Sequence, residues 1–442
     1  MPHHRARPSR RRLLAAAAAA AVSAPLAYAV SAQAGIVGSS SEPSRRRHGA
    51  MRVGTNFWFL GDDGQAVAGS RPWTGESPFR RGLDWRRAYT PGRQSTVNVW
   101  NPQFLNEVSD YACLRFMDWG KTNLSPITSW SQRTHPAADQ TRVGGADYSV
   151  TKSPGLAYEW MIDLCNRTGA DAWICMPLKA DDYYFRRCAE LFRDRLDPKL
   201  KVYVELHNEL WLQKAISDDS RNTSQYAGWH SERYGYGTGR PEDFANVFRF
   251  LARRSSNMWW FWHEAFGRAS KDRFVPVVAG QGINPDYGAQ LLDALDDRTV
   301  NYRRQFPKAY AIAPYFAANA EGRSAEAVSR SLRDDIRRQA KVTEENHAIW
   351  APRGVDLVCY EGGQHMVGSG TAAFNRRPDM RQLYKEYLDG LAPYVTLFNH
   401  YAHCGTPRDS GNWGAKEYTG QPASRAPKFQ ALKEWTRENA PR

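Results

Sequence analysis

No two cysteines are spaced C-x-x-C, no G-x-G-x-x-G or G-x-x-x-x-G-K-[ST] turn follows an early strand, and nothing repeats at a fixed period. These absences exclude zinc-ribbon and thioredoxin-like sites, the common dinucleotide and nucleotide-phosphate cradles, and solenoids or propellers. Cysteine is scarce, with six in 442 residues: Cys113, Cys165, Cys175, Cys188, Cys359 and Cys404. Four lie in apolar, strand-like runs, where a thiol behaves as a small buried hydrophobe; the even count is equally compatible with disulfides in an oxidising compartment. After residue 30 no uncharged apolar run reaches 18 residues, so no further membrane segment is expected.

Acidic residues are missing before Glu42 and cysteine is missing before Cys113. Arg5, Arg7, Arg10, Arg11 and Arg12 therefore stand unopposed ahead of the apolar, alanine-rich run Leu13 to Val30. Ser9-Arg10-Arg11-Arg12-Leu13-Leu14 reads as a twin-arginine export signal, and Ala32-Gln33-Ala34 as its cleavage site, with Ala27-Tyr28-Ala29 as a second candidate. The expected organisation is a leader at 1–34, a Ser-, Gly- and Arg-rich linker at 35–50, and a catalytic domain at 51–442. Cleavage after Ala34 would remove five Arg and no acid, taking the net charge from +14 to +9. The expected partner for this segment is the twin-arginine export machinery. The expected location is secreted, extracellular or periplasmic, with no membrane attachment after cleavage.

What remains is globular in composition: 42% hydrophobic, 24% charged and 12% aromatic, including 16 Trp. Disorder, collagen and coiled coil are excluded for the chain as a whole. The tryptophans fit a heavy core, or flat apolar platforms of the kind that carbohydrate-active proteins expose. The basic excess matches no nucleic-acid-binding motif, since the Arg residues are scattered beside Asp and Glu along helices. A solvated basic surface is expected, with some preference for acidic polymers or a charged cell wall.

Short apolar runs alternate with helical periodicity along the chain. Strands are expected near 53–60, 112–118, 171–178, 201–207, 273–279, 309–315, 355–360 and 394–401. Helices are expected near 102–111, 154–168, 181–196, 241–268, 286–296, 324–348, 378–390 and 426–438. Residues 61–101 and 215–240 read as long loops. Eight strand-then-helix units imply parallel strands closed into a single (β/α)8 barrel with long βα loops, and no second domain. The rival, an open doubly wound sheet, normally carries the missing Gly-rich turn.

In such a barrel the chemistry sits where strands run into the following loops. The fourth strand runs out through Glu205, His207, Asn208, Glu209 and Trp211, the seventh through Tyr360, Glu361 and His365. Two carboxylates facing each other across a cleft can cleave a glycosidic bond. One donates a proton to the leaving oxygen while the other attacks the anomeric carbon. Either Glu alone has a plain alternative, as a solvated loop carboxylate or a helix cap.

Asn208-Glu209 at the end of strand four and Glu361 at the end of strand seven resemble clan A of the glycoside hydrolases. The likeness runs by strand order from about residue 52 to 440. It implies a metal- and cofactor-independent retaining mechanism, with Glu209 as acid/base, Glu361 as nucleophile and Asn208 bonded to the sugar 2-hydroxyl. It further implies that Arg115 steadies the nucleophile and that Tyr315 donates to it; the plain alternative for Arg115 is a structural ion pair within the barrel. The segments Arg115–Trp119 with Thr122-Asn123, Val204–Trp211 and Tyr360–His365 also resemble bacterial exported proteins known as cellulose-binding proteins. The sequence departs from the clan in having Leu210 where many members have Pro after the acid/base. Alternation along a strand would also send Asn208 and Glu209 to opposite faces unless the strand ends or bulges there.

Trp58, Trp119, Trp211 and Trp413 follow strands and are candidate sugar platforms, Trp413 first among them. Trp259, Trp260 and Trp262 occupy a helix and are expected to pack. His207 and His365 flank the two Glu and can bond sugar hydroxyls or simply satisfy polar neighbours. Glu205 lies deeper, where a pairing with Arg115 is expected. His400-x-x-His403 lacks a third ligand at metal spacing, so no metal site is assigned. The leading expectation is a secreted retaining glycosidase acting on a β-linked glycan. The alternatives are a non-catalytic carbohydrate-binding protein on the same barrel and, less favoured, a metal-dependent hydrolase.

Overall fold

The computed structural model of the protein describes residues 51–57, 78–80, 82–140, 154–216, 219–409 and 411–439. The segments expected as leader (1–34) and linker (35–50), and Trp58, lie outside these.

Eight parallel strands close into a barrel: β1 (Arg52–Asn56), β2 (Cys113–Arg115), β3 (Asp171–Met176), β4 (Val202–Leu206), β5 (Phe274–Ala279), β6 (Ala309–Ile312), β7 (Asp356–Cys359) and β8 (Val395–His400). Neighbours in sequence are neighbours in space, and β1 pairs with β8 to close the ring. A helix follows each strand: α1 (Pro102–Val108), α2 (Tyr158–Thr168), α3 (Asp182–Arg195), α4 (Ala245–Phe266), α5 (Pro285–Asp296), α6 (Ala325–Trp350), α7 (Asp379–Leu391) and α8 (Pro427–Glu438). This is the expected (β/α)8 barrel.

Local chemistry explains these elements. Strands such as β3 and β4 are buried along their whole length, which demands continuous apolar runs rather than alternation. Helices α1, α5 and α8 begin with Pro, whose missing N–H is an orphan at a first turn in any case. Asp181 caps α3 by accepting from Tyr184 N–H, and Gly169 ends α2 in the left-handed region at φ 70°. In β1, Gly54 is required by close approach: a Cβ there would lie 2.0 Å from Asn399 Oδ1 and 2.5 Å from the Cys113 carbonyl oxygen. Seven tryptophans (100, 119, 160, 173, 259, 262 and 350) are among the largest fully buried side chains, so the core accounts for much of the tryptophan.

Two departures matter for the site. Residues 215–240, expected as loop, contain a short antiparallel pair (Ala215–Ile216 with Asp219–Asn222) and a helix, Thr223–Arg233. That helix starts from a capping box in which Asn222 and Gln225 exchange side-chain and backbone bonds, a local signal hidden by a polar composition. In addition, Phe316–Asn319 and Gln364–Val367 pair as a small parallel sheet outside the barrel, tying together the loops that follow β6 and β7. All six cysteines lie among the described residues, and no disulfide joins them. Among the described residues no helix is long and apolar enough to cross a membrane.

Candidate active site

The site is organised around Arg115, the last residue of β2, whose side chain is 0% exposed. A buried guanidinium is tolerable only when its donors are met by acceptors and its charge by carboxylates. Here Nη2 donates to Glu205 Oε2 at 2.9 Å and Asn208 Oδ1 at 3.0 Å. Nη1 donates to Glu361 Oε1 at 2.8 Å and Asn56 Oδ1 at 3.1 Å. The rings of Trp173 and Tyr360 lie 5.7 and 5.0 Å from the guanidinium carbon. Glu205 Oε2 also receives Trp173 Nε1–H at 2.9 Å, so this carboxylate is engaged in the barrel interior as a counter-charge.

Glu361 differs because its second oxygen has a partner outside the Arg115 cluster. Tyr315 OH donates to Oε2 at 2.9 Å. Tyr315 directly precedes the strand Phe316–Asn319, and Phe316 N–H donates to the Gly363 carbonyl at 3.0 Å, so the small outer sheet holds donor and acceptor together. Burial pushes the Glu361 carboxyl up to about 7, against the lowering effect of Arg115 and with a further push from Glu209.

The end of β4 resolves the alternation problem. The strand stops at Leu206, and His207 and Glu209 take left-handed backbone conformations at φ 60° and 49°. Asn208 thereby turns to Arg115 while Glu209 meets Tyr360 from the end of β7 and Lys214 from farther along its own loop. Tyr360 OH donates to Glu209 Oε1 at 2.9 Å, and Lys214 Nζ donates to Oε2 at 3.0 Å. Lys214 also reaches Asn123 Oδ1 at 3.3 Å and the Asn208 carbonyl at 3.4 Å. Burial disfavours the ionised form of Glu209, but Lys214 and Tyr360 outweigh it and hold its pKa below the ordinary range. The two carboxyls are thus pushed in opposite directions by different neighbours.

Of the sequence-selected residues, Arg115, Asn208, Glu209, Glu361 and Tyr315 fall into this one network. The buried pairing expected for Glu205 is present. His207 is buried, with Nδ1 2.8 Å from the Asn208 carbonyl, and burial lowers its pKa to about 3. It therefore buttresses the β4 turn as a neutral ring. His365 and Trp413 stack at 5.4 Å, Trp413 Nε1–H donates to His365 Nδ1 at 2.9 Å, and the Tyr315 ring lies 6.2 Å from His365. Trp413 is half-buried and also lies 6.3 Å from Tyr401.

Trp119 and Trp211 are corrected as sugar platforms. Trp119 is 2% exposed, stacked on Phe57 at 4.4 Å and on Trp100 at 6.1 Å, and has no ring face left for a sugar. Trp211 is 5% exposed and sits edge-on to Tyr360 at 6.5 Å, which leaves its ring little surface for a sugar. Trp259 and Trp262 pack in the core as expected. His400 and His403 are spent on different partners: His400 Nε2 lies 2.9 Å from Tyr384 OH, and His403 Nε2 lies 3.3 Å from Glu107 Oε2.

Sequence reasoning gave no role to Lys214, Tyr360, Asn56 or Tyr401. Tyr401 OH donates at 2.9 Å to Asp118, whose carboxyl burial raises to about 6. Asn56 and Tyr401 each adjoin the mouth end of a barrel strand, so position alone would have flagged them. Lys214 lies beyond the left-handed turn and carried no such signal.

No protein-family model matches the chain, and no curated protein is similar to it in sequence. Among solved structures, the GH51 arabinofuranosidase from Xanthomonas axonopodis pv. citri is 12% identical at a TM-score of 0.43, over 81% of this chain and 66% of that one. The Family 1 β-glucosidase from Thermotoga maritima is 13% identical at a TM-score of 0.42, over 89% and 98%. The Family 5 xyloglucanase from Paenibacillus pabuli is 11% identical at a TM-score of 0.43, over 87% and 98%. The site therefore stands on its own geometry.

Proposed function

We propose that the chain is a secreted retaining glycoside hydrolase acting on a β-linked glycan by double displacement. The observation that carries this reading is Glu361, with one oxygen on Arg115 and the other on Tyr315, opposite Glu209 on the facing strand end. Arg115 and Tyr315 orient the Glu361 oxygens and favour their ionised form at the moment of attack on the anomeric carbon. Glu209 gives its proton to the leaving oxygen as the glycosyl–Glu361 ester forms. It then takes a proton from the water that cleaves this ester and releases the sugar. Asn208 is the candidate donor to the sugar 2-hydroxyl and Trp413 the candidate platform. The twin-arginine leader supports action outside the cytoplasm.

The test is turnover of β-linked polysaccharides and aryl glycosides by residues 35–442, with Glu361→Ala and Glu209→Ala alongside. Reducing sugar released by the wild type and by neither variant is the expected result, and NMR of the first product should show the anomeric configuration retained. Full activity in either variant overturns the assignment. Unchanged rates in strong chelator are expected, and loss of activity there would move the reading to a metal-dependent hydrolase. One observation favours the rival carbohydrate-binding reading: Lys214 holds Glu209 as a carboxylate, which a binding protein tolerates and an acid catalyst must escape. Equal binding by all three proteins with no sugar released would establish that rival.

A further inference from the structure

A general acid needs its proton when the glycosidic oxygen leaves, yet an ammonium sits 3.0 Å from Glu209 Oε2. Something in the substrate complex must draw Lys214 away. The groups around it show what that something is. Lys214 lies on the loop after β4, and its side chain keeps about 15% of its surface exposed. It also bonds Asn123 Oδ1 at 3.3 Å, on the loop after β2. The amide nitrogen of Asn123 is spent on Met117 Sδ at 3.7 Å, a poor acceptor. An ammonium beside an under-used amide donor makes a two-point receptor for a carboxylate, and charge-assisted bonds of this kind are the strong ones. Lys121, also after β2, adds a second positive charge acting on the same quarter of the mouth, where both lysines bear on Asp118.

We infer that the glycan carries a uronic acid beside the scissile bond, whose carboxylate takes Lys214 and Asn123 and thereby releases Glu209 to be protonated. The inference rests on the glycosidase reading above and names its substrate class. The neighbouring acids do not forbid an anion there. Glu361 is paired with Arg115, Asp118 is bonded to Tyr401, and Glu209 loses its own charge by taking a proton from solvent as Lys214 leaves. Lys214 is thus a specificity residue that links recognition of the acidic sugar to readiness of the acid.

The experiment uses one uronate-bearing β-glycan before and after reduction of its carboxyls to primary alcohols, with wild type, Lys214→Met and Lys214→Arg. Wild type should cleave the acidic form with kcat/KM about tenfold to a hundredfold higher, the worth of one charge-assisted bond. Lys214→Met should lose that preference and Lys214→Arg should keep most of it. Equal rates on both forms by the wild type, or a preference that survives Lys214→Met, overturn the inference while leaving the glycosidase reading intact. No turnover of the acidic, reduced or neutral glycans by the wild type defeats both.

Discussion

Two buried ionic clusters of similar make-up sit a few elements apart, and only one is suited to chemistry. In the first, Arg115 joins Glu205 and Glu361 across the barrel axis. In the second, Glu107 on α1 receives Lys416 Nζ at 2.6 Å and Gly420 N–H at 2.8 Å on one oxygen, and lies 3.3 Å from His403 Nε2 on the other. Tyr111 OH lies 3.4 Å from the second ring nitrogen of His403, and the Phe429 ring is 5.0 Å from Lys416 Nζ. Every polar atom named in this second cluster is met from within the fold, and its effect is to staple the loop after β8 to α1. In the first cluster Glu361 Oε2 instead takes Tyr315 OH from the loop after β6, at the same end of the barrel as Glu209. Buried charge is common to both; an acceptor presented at the mouth is not. Glu107, His403 and Cys404 place metal-ligand atoms within 4.8 Å of one another, but the Lys416 ammonium already supplies the positive charge there.

The largest effects are expected on removing one carboxylate from each cluster. Glu361→Gln should abolish turnover with little loss of stability, because Arg115 keeps Glu205. Glu107→Gln should leave turnover near wild type and lower unfolding stability by about 3 kcal/mol, because Lys416 is left buried without its counter-charge. Thermal melts and initial rates on the same preparations decide, and the reverse pattern would exchange the two roles. Arg115→Met should do both kinds of damage, losing turnover and about 3–5 kcal/mol by urea denaturation, since two buried carboxylates lose their partner.

A subtler contrast lies in pH. The Glu361 pKa is raised to about 7, so the folded state holds a proton there that the unfolded chain releases near 4.5. Its contribution to stability is full below about 4.5 and declines as pH rises to about 7. Burial opposes the ionised form of Glu107, but His403 and Lys416 outweigh it and lower its pKa, so its contribution is present above 4.5 and is lost as pH falls. Chemical denaturation across this range should show the decline towards pH 7 flattened in Glu361→Gln and the acid-side loss reduced in Glu107→Gln. The smallest effect expected is from Trp413→Ala, which should raise KM by about tenfold or less, the scale of one ring contact, with kcat nearly unchanged.

The barrel was legible because parallel strands buried on both faces leave unbroken apolar runs, and β3 and β5 begin within one residue of where those runs begin. The pair Glu209 and Glu361 was legible because each carboxylate follows such a run. Trp119 was selected for the same reason as Glu209 and packs inward: position after a strand says that a side chain is near the mouth, not which way its ring turns. Phe57 and Trp100 decide that, one directly after β1 and the other just ahead of α1. The helix Thr223–Arg233 was hidden because its defining signal is a reciprocal cap rather than an apolar stripe. Lys214 was invisible because its partner is selected by three left-handed residues, His207, Glu209 and Gln213, that no spacing rule announces.

Those residues carry a consequence for protein engineering. At φ 49° Glu209 occupies a backbone region that suits glycine and costs an L-residue about 1 kcal/mol. Fold and chemistry therefore ask for different amino acids at one position. Glu209→Gly should melt above Glu209→Ala although both are inactive. The pair isolates the backbone term, because both substitutions equally strip Lys214 and Tyr360 of their carboxylate partner and glycine recovers only what the left-handed turn costs.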